Sequence, residues 1–584
     1  MTTSRRFKVL KRIVLFALGI ITVRLFAIQI IEHDAWVAKA NEEHTLLETI
    51  VARRGEIYMM DGESPVPVVM NQTTYSVIID PAATDETEIT TALETYAKDY
   101  ITANLAEVFK NKNLRYYIVA KNVPQTTASK IAEQGISYVW FQKTNKRFYP
   151  EGDLASSVLG FVNADGLGQY GIEGAMNQRL TGKDGLLKTI SDVNNVALSI
   201  GSDNTKIPAE DGENIVLTID RGLEKGIEEI VENVIDSTAA DHAAVLVMDT
   251  KNNEVLAMAD LPNYNPGDYG NVKDASAYLN QITEIPYEPA SICKTFAFSA
   301  AINEGKMTAD TEYFNEPYVV IDGNQIWNAE QRAILNNQTL TMRDALYWSL
   351  NAGSIKALEL LGDNPNEITA AGRERLYDYY YNKFRLSRPT GIELIEAEGF
   401  LWDPHAEVYG LNAAYANMTF GQNLGITMIQ TATAFSAVVN GGVWRTPSVV
   451  KGILGSDGLI TQLDTKNREE TQILSEETSS MMREMLIHNR DYRVRAGIDP
   501  EGYAIGGKSG TAQVIVNGAY DDSMENLVGS YISFIGPENE LPKYVIMVKI
   551  WGEGQALGGG DAMELFEAIS PFLIDYLKIK PKTS

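Results

Sequence analysis

An apolar run, Ile13–Ile31, follows a basic leader carrying Arg5, Arg6, Lys8, Lys11 and Arg12. Its length is close to the ~20 residues that a helix needs to cross a bilayer. The flank beyond it is acidic, with Glu32, Asp34, Glu42 and Glu43. Basic flanks stay on the cytoplasmic side, so the rest of the chain is expected outside. Arg24 interrupts the run, at a cost of roughly 3 kcal/mol unless it snorkels or pairs. Ala38-Lys39-Ala40 resembles a signal-peptidase site and keeps a cleaved leader open, although the length of the run favours a retained anchor. Either way the bulk of the chain is exported. A reaction there cannot spend ATP and must draw on bonds already in its substrate.

The chain has 584 residues, 45% hydrophobic and 22% charged, which is globular composition with room for three or four structural units. The net charge of −27 argues against a nucleic-acid partner, because phosphate binding needs a positive footprint. A single cysteine, Cys293, excludes an internal disulfide framework and any multi-cysteine metal site. The five histidines lie in no nucleophile motif and show no i, i+4 pair, so neither a metal nor another cofactor is expected.

Along the chain, Val51–Tyr58 reads as extended, Tyr75–Ile79 and Tyr116–Val119 as strands, Glu88–Phe109 as helical, and Asn163–Gly185 as turn-rich. A domain boundary is expected in the polar stretch Asp203–Gly212. Beyond it, Asn214–Ile219 reads as a strand and Arg221–Ile235 as an amphipathic helix. Ala243–Met248 and Glu254–Met258 form a hairpin pattern, and helices dominate 291–440. Tyr531–Ile535 and Tyr544–Ile550 are strands, followed by a helix over Ala562–Leu577. Strands, then helices, then strands predict one sheet with helices packed on it, a mixed α/β (α+β) fold.

Three short motifs carry chemistry. Ser291-Ile-Cys-Lys294 follows Pro289 and opens an apolar helical run, which places the serine and lysine on one helical face. A serine hydroxyl needs a base, and a lysine freed of its charge by burial or a neighbouring cation can serve. Ser349-Leu-Asn351 reads as a break between two helices, offering a hydroxyl and an amide. Lys508-Ser-Gly-Thr511 is expected to lead into a strand at Ala512–Val516, with Lys508, Ser509 and Thr511 clamping a carboxylate and Gly510 admitting a substrate backbone. Gly502–Ser509 also matches the G-x-x-x-x-G-K-S pattern of a phosphate loop. That reading needs a helix next, and Gly510 and a strand follow instead. Each motif alone is weak; their order and spacing make coincidence improbable. Cys293 is expected to turn away and pack.

At these residues the sequence resembles the class B penicillin-binding proteins, membrane-anchored monofunctional serine D,D-transpeptidases of peptidoglycan synthesis, whose motif set is S-x-x-K, S-x-N and K-[ST]-G. Arg53-Arg-Gly-Glu-Ile-Tyr58, Tyr149-Pro150, Leu159-Gly-Phe161 and Gly171-Ile-Glu173 are similar to the family's pedestal. Met60 departs from its pattern before Asp61-Gly62. Asp220, Phe420-Gly-Gln422 and Gln430 match its transpeptidase domain. The resemblance implies a cytoplasmic tail (1–12), a transmembrane anchor (13–31), a non-catalytic pedestal (32–205) and a transpeptidase domain (206–584) with an antiparallel sheet flanked by helices. No glycosyltransferase domain before the pedestal and no PASTA-like repeat after residue 580 are expected.

The resemblance also implies roles. Lys294 would activate Ser291, Ser349 would relay a proton, and Asn351 would bind the peptide. Lys508, Ser509, Gly510 and Thr511 would bind the end of a D-Ala-D-Ala stem, with backbone N–H groups of Ser291 and Thr511 as the oxyanion hole. β-Lactams would acylate Ser291. A SEDS-type glycosyltransferase and other divisome or elongasome proteins are the implied partners. Lys508-Ser-Gly-Thr-Ala-Gln513 and the short tail look more like the division type. Two rivals are a β-lactam hydrolase or sensor on the same fold, and a non-catalytic scaffold.

Overall fold

The computed structural model describes residues 3–36, 45–190, 205–238, 240–463, 468–493, 499–516, 519–520 and 525–582. Ala38–Ala40, Glu42, Glu43 and the first two residues of the expected boundary at 203–212 lie outside them. The chain divides into two compact units, one of residues 1–55 with 181–213 and one of 56–180 with 214–584.

In the first unit a helix spans Thr3–Phe26 and continues as a π-helical turn over Ala27–Ile31. Phe7–Ile31 is long and apolar enough to cross a membrane, and none of it is buried against protein. Arg24 pairs with Glu32, the residue directly after the apolar run, at 3.5 Å. A small antiparallel sheet joins Thr45–Ile50, Gly185–Ile190 and Thr205–Ile207. The Ala52 and Arg53 amides donate to Asp184 and Asp211, both at 2.8 Å, tying the segment after the first strand to the returning chain.

The second unit holds two large sheets. One has seven strands, in which Asn214–Asp220 pairs parallel with Ile57–Asp61 and antiparallel with Val450–Leu454. Ser64–Ile79 extends it and carries both Tyr117–Pro124 and Val139–Phe148. Strands from before and after residue 205 thus share one sheet. The single-sheet expectation is corrected here: Asn214–Asp220 joins this sheet and not the one behind the motifs. The Glu88–Phe109 reading is also corrected. Asp85 caps a helix over Glu86–Tyr96, which stops at Ala97, where φ is −134°, and a separate helix follows over Leu105–Lys110.

The other sheet is antiparallel, in the order Val255–Leu261, His242–Asp249, Tyr544–Trp551, Leu527–Pro537, Tyr503–Gln513. Both faces are covered, which is why its inner strands read as unbroken apolar runs. Alternation sorts the residues. Val245, Val247, Ile546 and Val548 pack with the helices Arg221–Thr238 and Gly559–Tyr576, while Leu246, Met248, Val545 and Met547 pack with Lys294–Asn303 and Met428–Val439. The Ala243–Met258 hairpin and the C-terminal strands and helix lie where the pattern puts them. The helical middle also holds two small hairpins, Glu312–Asn315 with Gln338–Thr341 and Tyr318–Ile321 with Asn324–Trp327.

The third motif is corrected in detail. Lys508–Thr511 does not lead into a strand but lies inside one, Tyr503–Gln513, paired without a register break to Leu527–Pro537. The phosphate-loop match is extended chain from Tyr503 onward, and the strand runs on past it to Gln513.

Candidate active site

Ser291 sits in a 3₁₀ turn, Ala290–Cys293, that runs directly into the helix Lys294–Asn303. The turn is held from outside. Tyr287 and Ile426 exchange backbone hydrogen bonds at 3.0 Å, and Ala290 donates to the Gly421 carbonyl at 3.2 Å. Ala290 has φ +49°, a left-handed conformation that a non-glycine residue holds only when its surroundings over-determine it. Gly421 supplies part of that constraint. Its φ is +78°, and a Cβ there would stand 2.1 Å from the Ala290 carbonyl oxygen. Glu288 accepts from the Asn423 amide (2.8 Å) and the Tyr520 hydroxyl (2.9 Å); burial pushes its carboxyl up from the usual range.

Lys294 is fully buried. Its Nζ lies 3.0 Å from Ser291 Oγ, 2.7 Å from the Ser349 carbonyl oxygen, 2.8 Å from Asn351 Oδ1 and 3.3 Å from Ser349 Oγ. Asn351 Nδ2 donates to the Trp327 carbonyl at 2.8 Å, so the amide's oxygen is the end that faces the lysine. The Phe420 ring lies 5.9 Å away. Ser349 caps the helix Met342–Trp348 in the left-handed region, φ +58°, and the next helix begins at Asn351. That break directs both the Ser349 carbonyl and its hydroxyl at the lysine.

Lys508 is also fully buried and donates to Ser349 Oγ at 3.0 Å and to the Ser509 carbonyl at 2.9 Å. Its strand is the sheet edge. Glu538 donates to the Gly502 carbonyl and Val514 to that of Asn526, both at 3.2 Å, at the two ends of an unbroken register. Ladder pairing alternates, so Ser509, Thr511 and Gln513 turn their backbone N–H and C=O groups to the outer edge. Gly510 is packed on the Ser291 turn: a Cβ there would stand 2.3 Å from the Pro289 carbonyl oxygen. Thr511 Oγ1 accepts from the Gly559 amide at 2.8 Å.

The structure therefore brings together Ser291, Lys294, Ser349, Asn351 and Lys508, with Ser509, Gly510 and Thr511 beside them. Ser291, Ser349, Asn351, Ser509 and Thr511 line one cavity of about 420 Å³. Cys293 is buried away from it, and burial pushes its thiol up. Asp220 and Gln430 are structural: Asp220 accepts from the Gly222 and Leu223 amides and Gln430 closes a capping box with Thr427. Sequence reading missed Trp327 and Arg332, which line the cavity, and Gly559. The hairpin signal Ile321-Asp-Gly-Asn324 and the run Gly558-Gly-Gly560 were available in the sequence.

A serine, a lysine and a second hydroxyl thus converge at a helix start that faces a sheet edge, an arrangement chemically suited to acyl transfer. The chain's relatives give the family. Residues 243–570 match the penicillin binding protein transpeptidase domain, and residues 49–217 match the penicillin-binding protein dimerisation domain. The chain belongs to the penicillin-binding protein transpeptidases, in the class B pairing of those two domains. The peptidoglycan D,D-transpeptidase FtsI of Buchnera aphidicola is 26% identical over 592 residues, covering 99% of this chain and 96% of that protein. A peptidoglycan synthetase from Bifidobacterium adolescentis shares the fold with a TM-score of 0.70 at 23% identity, covering 92% of this chain and 98% of the other. Penicillin binding protein 3 from Mycobacterium tuberculosis, complexed with aztreonam, does so with a TM-score of 0.66 at 21% identity and the same coverage.

Proposed function

We propose that the chain is a serine D,D-transpeptidase that cross-links peptidoglycan stem peptides through an acyl-enzyme on Ser291. The observation that carries this is Lys294 Nζ, buried and 3.0 Å from Ser291 Oγ. Burial and the second amine of Lys508 on the same hydroxyl both favour a neutral Lys294. A neutral amine has two N–H donors and one lone pair. The Ser349 carbonyl and Asn351 Oδ1 accept the two donors, which leaves the lone pair for the Ser291 proton.

Ser291 Oγ then attacks the penultimate D-Ala carbonyl of a D-Ala-D-Ala terminus. The backbone N–H groups of Ser291 and Thr511 stabilise the oxyanion. The C–N bond breaks as Ser349 passes a proton to the departing D-Ala amine. Lys508, Ser509 and Thr511 hold the terminal carboxylate, Gly510 lets the peptide approach the strand, and Asn351 binds the peptide. An amine from a neighbouring strand attacks the ester, loses its proton through the same relay, and frees Ser291. One peptide bond replaces another, so ATP is not required. β-Lactams are taken as substrates that acylate Ser291 and leave slowly.

In this reading the anchor is 13–31, with 1–12 cytoplasmic and the catalytic unit extracytoplasmic, 32–205 serve as pedestal and 206–584 as the transpeptidase domain. A division role, suggested by Lys508–Gln513, and a SEDS-type glycosyltransferase partner belong to the same proposal. Labelled penicillin tests the catalytic core. Stable labelling of wild type that is lost in Ser291→Ala supports it. Rapid turnover of the label points to the hydrolase, and a folded wild type that never labels points to the scaffold.

A further inference from the structure

A second concavity of about 660 Å³ continues the cleft, and Trp327, Asn351, Phe420 and Gln422 line both it and the nucleophile's cavity. Its lining contains no Asp, Glu, Lys, Arg or His, although the adjoining cavities hold Arg332 and Glu288. Amides and aromatic rings replace the charges. The side chains of Gln325, Asn417 and Gln422 line it and make no hydrogen bond among the described residues. Trp327 is 53% exposed and Tyr409 92% exposed. The Tyr409 ring is nonetheless tethered, because its hydroxyl donates to the Asp322 carbonyl at the hairpin tip at 3.0 Å.

We propose that this groove binds an N-acetylated sugar residue bearing the substrate's stem peptide; the proposal rests on the transpeptidase reading above. A neutral sugar fits each feature. Its hydroxyl and acetamido groups both donate and accept, as carboxamide side chains do. Its C–H face lies on an aromatic ring, and a tethered ring loses little freedom on binding. A carboxylate in the same place would meet no cation. The reach also agrees. The groove follows the strand Asn324–Trp327, about 10 Å at ~3.3 Å per residue, away from the nucleophile's cavity. Four extended residues span at most roughly 14 Å, so a stem of that length would carry its sugar to the outer end, beside Tyr409.

The test is calorimetric titration of the full-length Ser291→Ala chain in detergent with two probes, a D-Ala-D-Ala stem peptide and the same peptide carrying its N-acetylated disaccharide. The disaccharide is expected to tighten binding roughly tenfold. Adding Tyr409→Ala brings the two probes together, Tyr409→Phe, which keeps the ring but loses its tether to the Asp322 carbonyl, retains part of the difference, and raising the salt leaves it intact because no charge lines the groove. Equal affinities in the Ser291→Ala chain, or a gain that survives Tyr409→Ala or vanishes with salt, would overturn the proposal. Turnover of the free peptide by wild type reports separately on the transpeptidase reading, so the two can fail independently.

Discussion

Lys294 and Lys508 reach the same oxygen: Ser349 Oγ lies 3.3 Å from the first amine and 3.0 Å from the second. Both lysines are fully buried, and a shared hydroxyl between two amines links the Ser291 side of the cleft to the sheet edge, the proton path that the proposed mechanism uses. Ser349→Ala is expected to lower the rate of acylation by penicillin about 100-fold, the lower end of what a proton-transfer group supplies. Stopped-flow or gel-based labelling measures it, with the melting temperature held as the control for folding.

Asn351 presents its oxygen to Lys294 at 2.8 Å. Asn351→Asp puts a negative charge in that place and favours the ammonium form of the lysine. Acylation should fall at neutral pH. The loss should shrink as pH rises, because hydroxide removes the extra proton. A pH series of acylation rates checks the sign; a deficit that stays constant or grows with pH contradicts it.

Gly510 has no room for a methyl group, since the obstacle at 2.3 Å is the Pro289 backbone next to the nucleophile's turn. Gly510→Ala must push the edge strand away from Ser291. A loss of roughly 1–3 kcal/mol of stability is expected, with acylation reduced more than tenfold. Chemical denaturation and penicillin labelling measure the two separately.

Asp260 lies in the core and its carboxyl is pushed up to about 7 by burial, while Glu228 is held well above the usual carboxylate range by burial and by the charge of Glu224. Both bind protons more tightly folded than unfolded. Their contribution is fully present below the ordinary carboxylate range near pH 4 and is lost as pH rises through about 7 for Asp260 and about 9 for Glu228. Glu228 accepts from the Ala155 amide at 2.8 Å, a bond that glutamine can keep. Glu228→Gln should therefore melt like wild type at pH 4 and higher than wild type at pH 8.

Much of the catalytic half was legible because its signals are local. Unbroken apolar runs gave the hairpin at 243–258 and the C-terminal strands, and the three motifs gave the residues gathered around Ser349. What escaped depends on distant partners. Lys508–Thr511 reads as the approach to a strand at Ala512, yet it lies inside one, and Gly510 is there for the approach of Pro289, which only the fold supplies. The left-handed Ala290 is fixed by Gly421, and Asn214–Asp220 finds its parallel partner in Ile57–Asp61 from far upstream. No periodicity within a short window encodes such pairings.

The role of the Lys294 amine is most directly tested by replacing it with an uncharged chain of similar length. For Lys294→Met, in a chain that still melts cooperatively, the account predicts that acylation of Ser291 by penicillin slows about 1,000-fold, within the range for loss of a general base. Acylation within tenfold of wild type would contradict it.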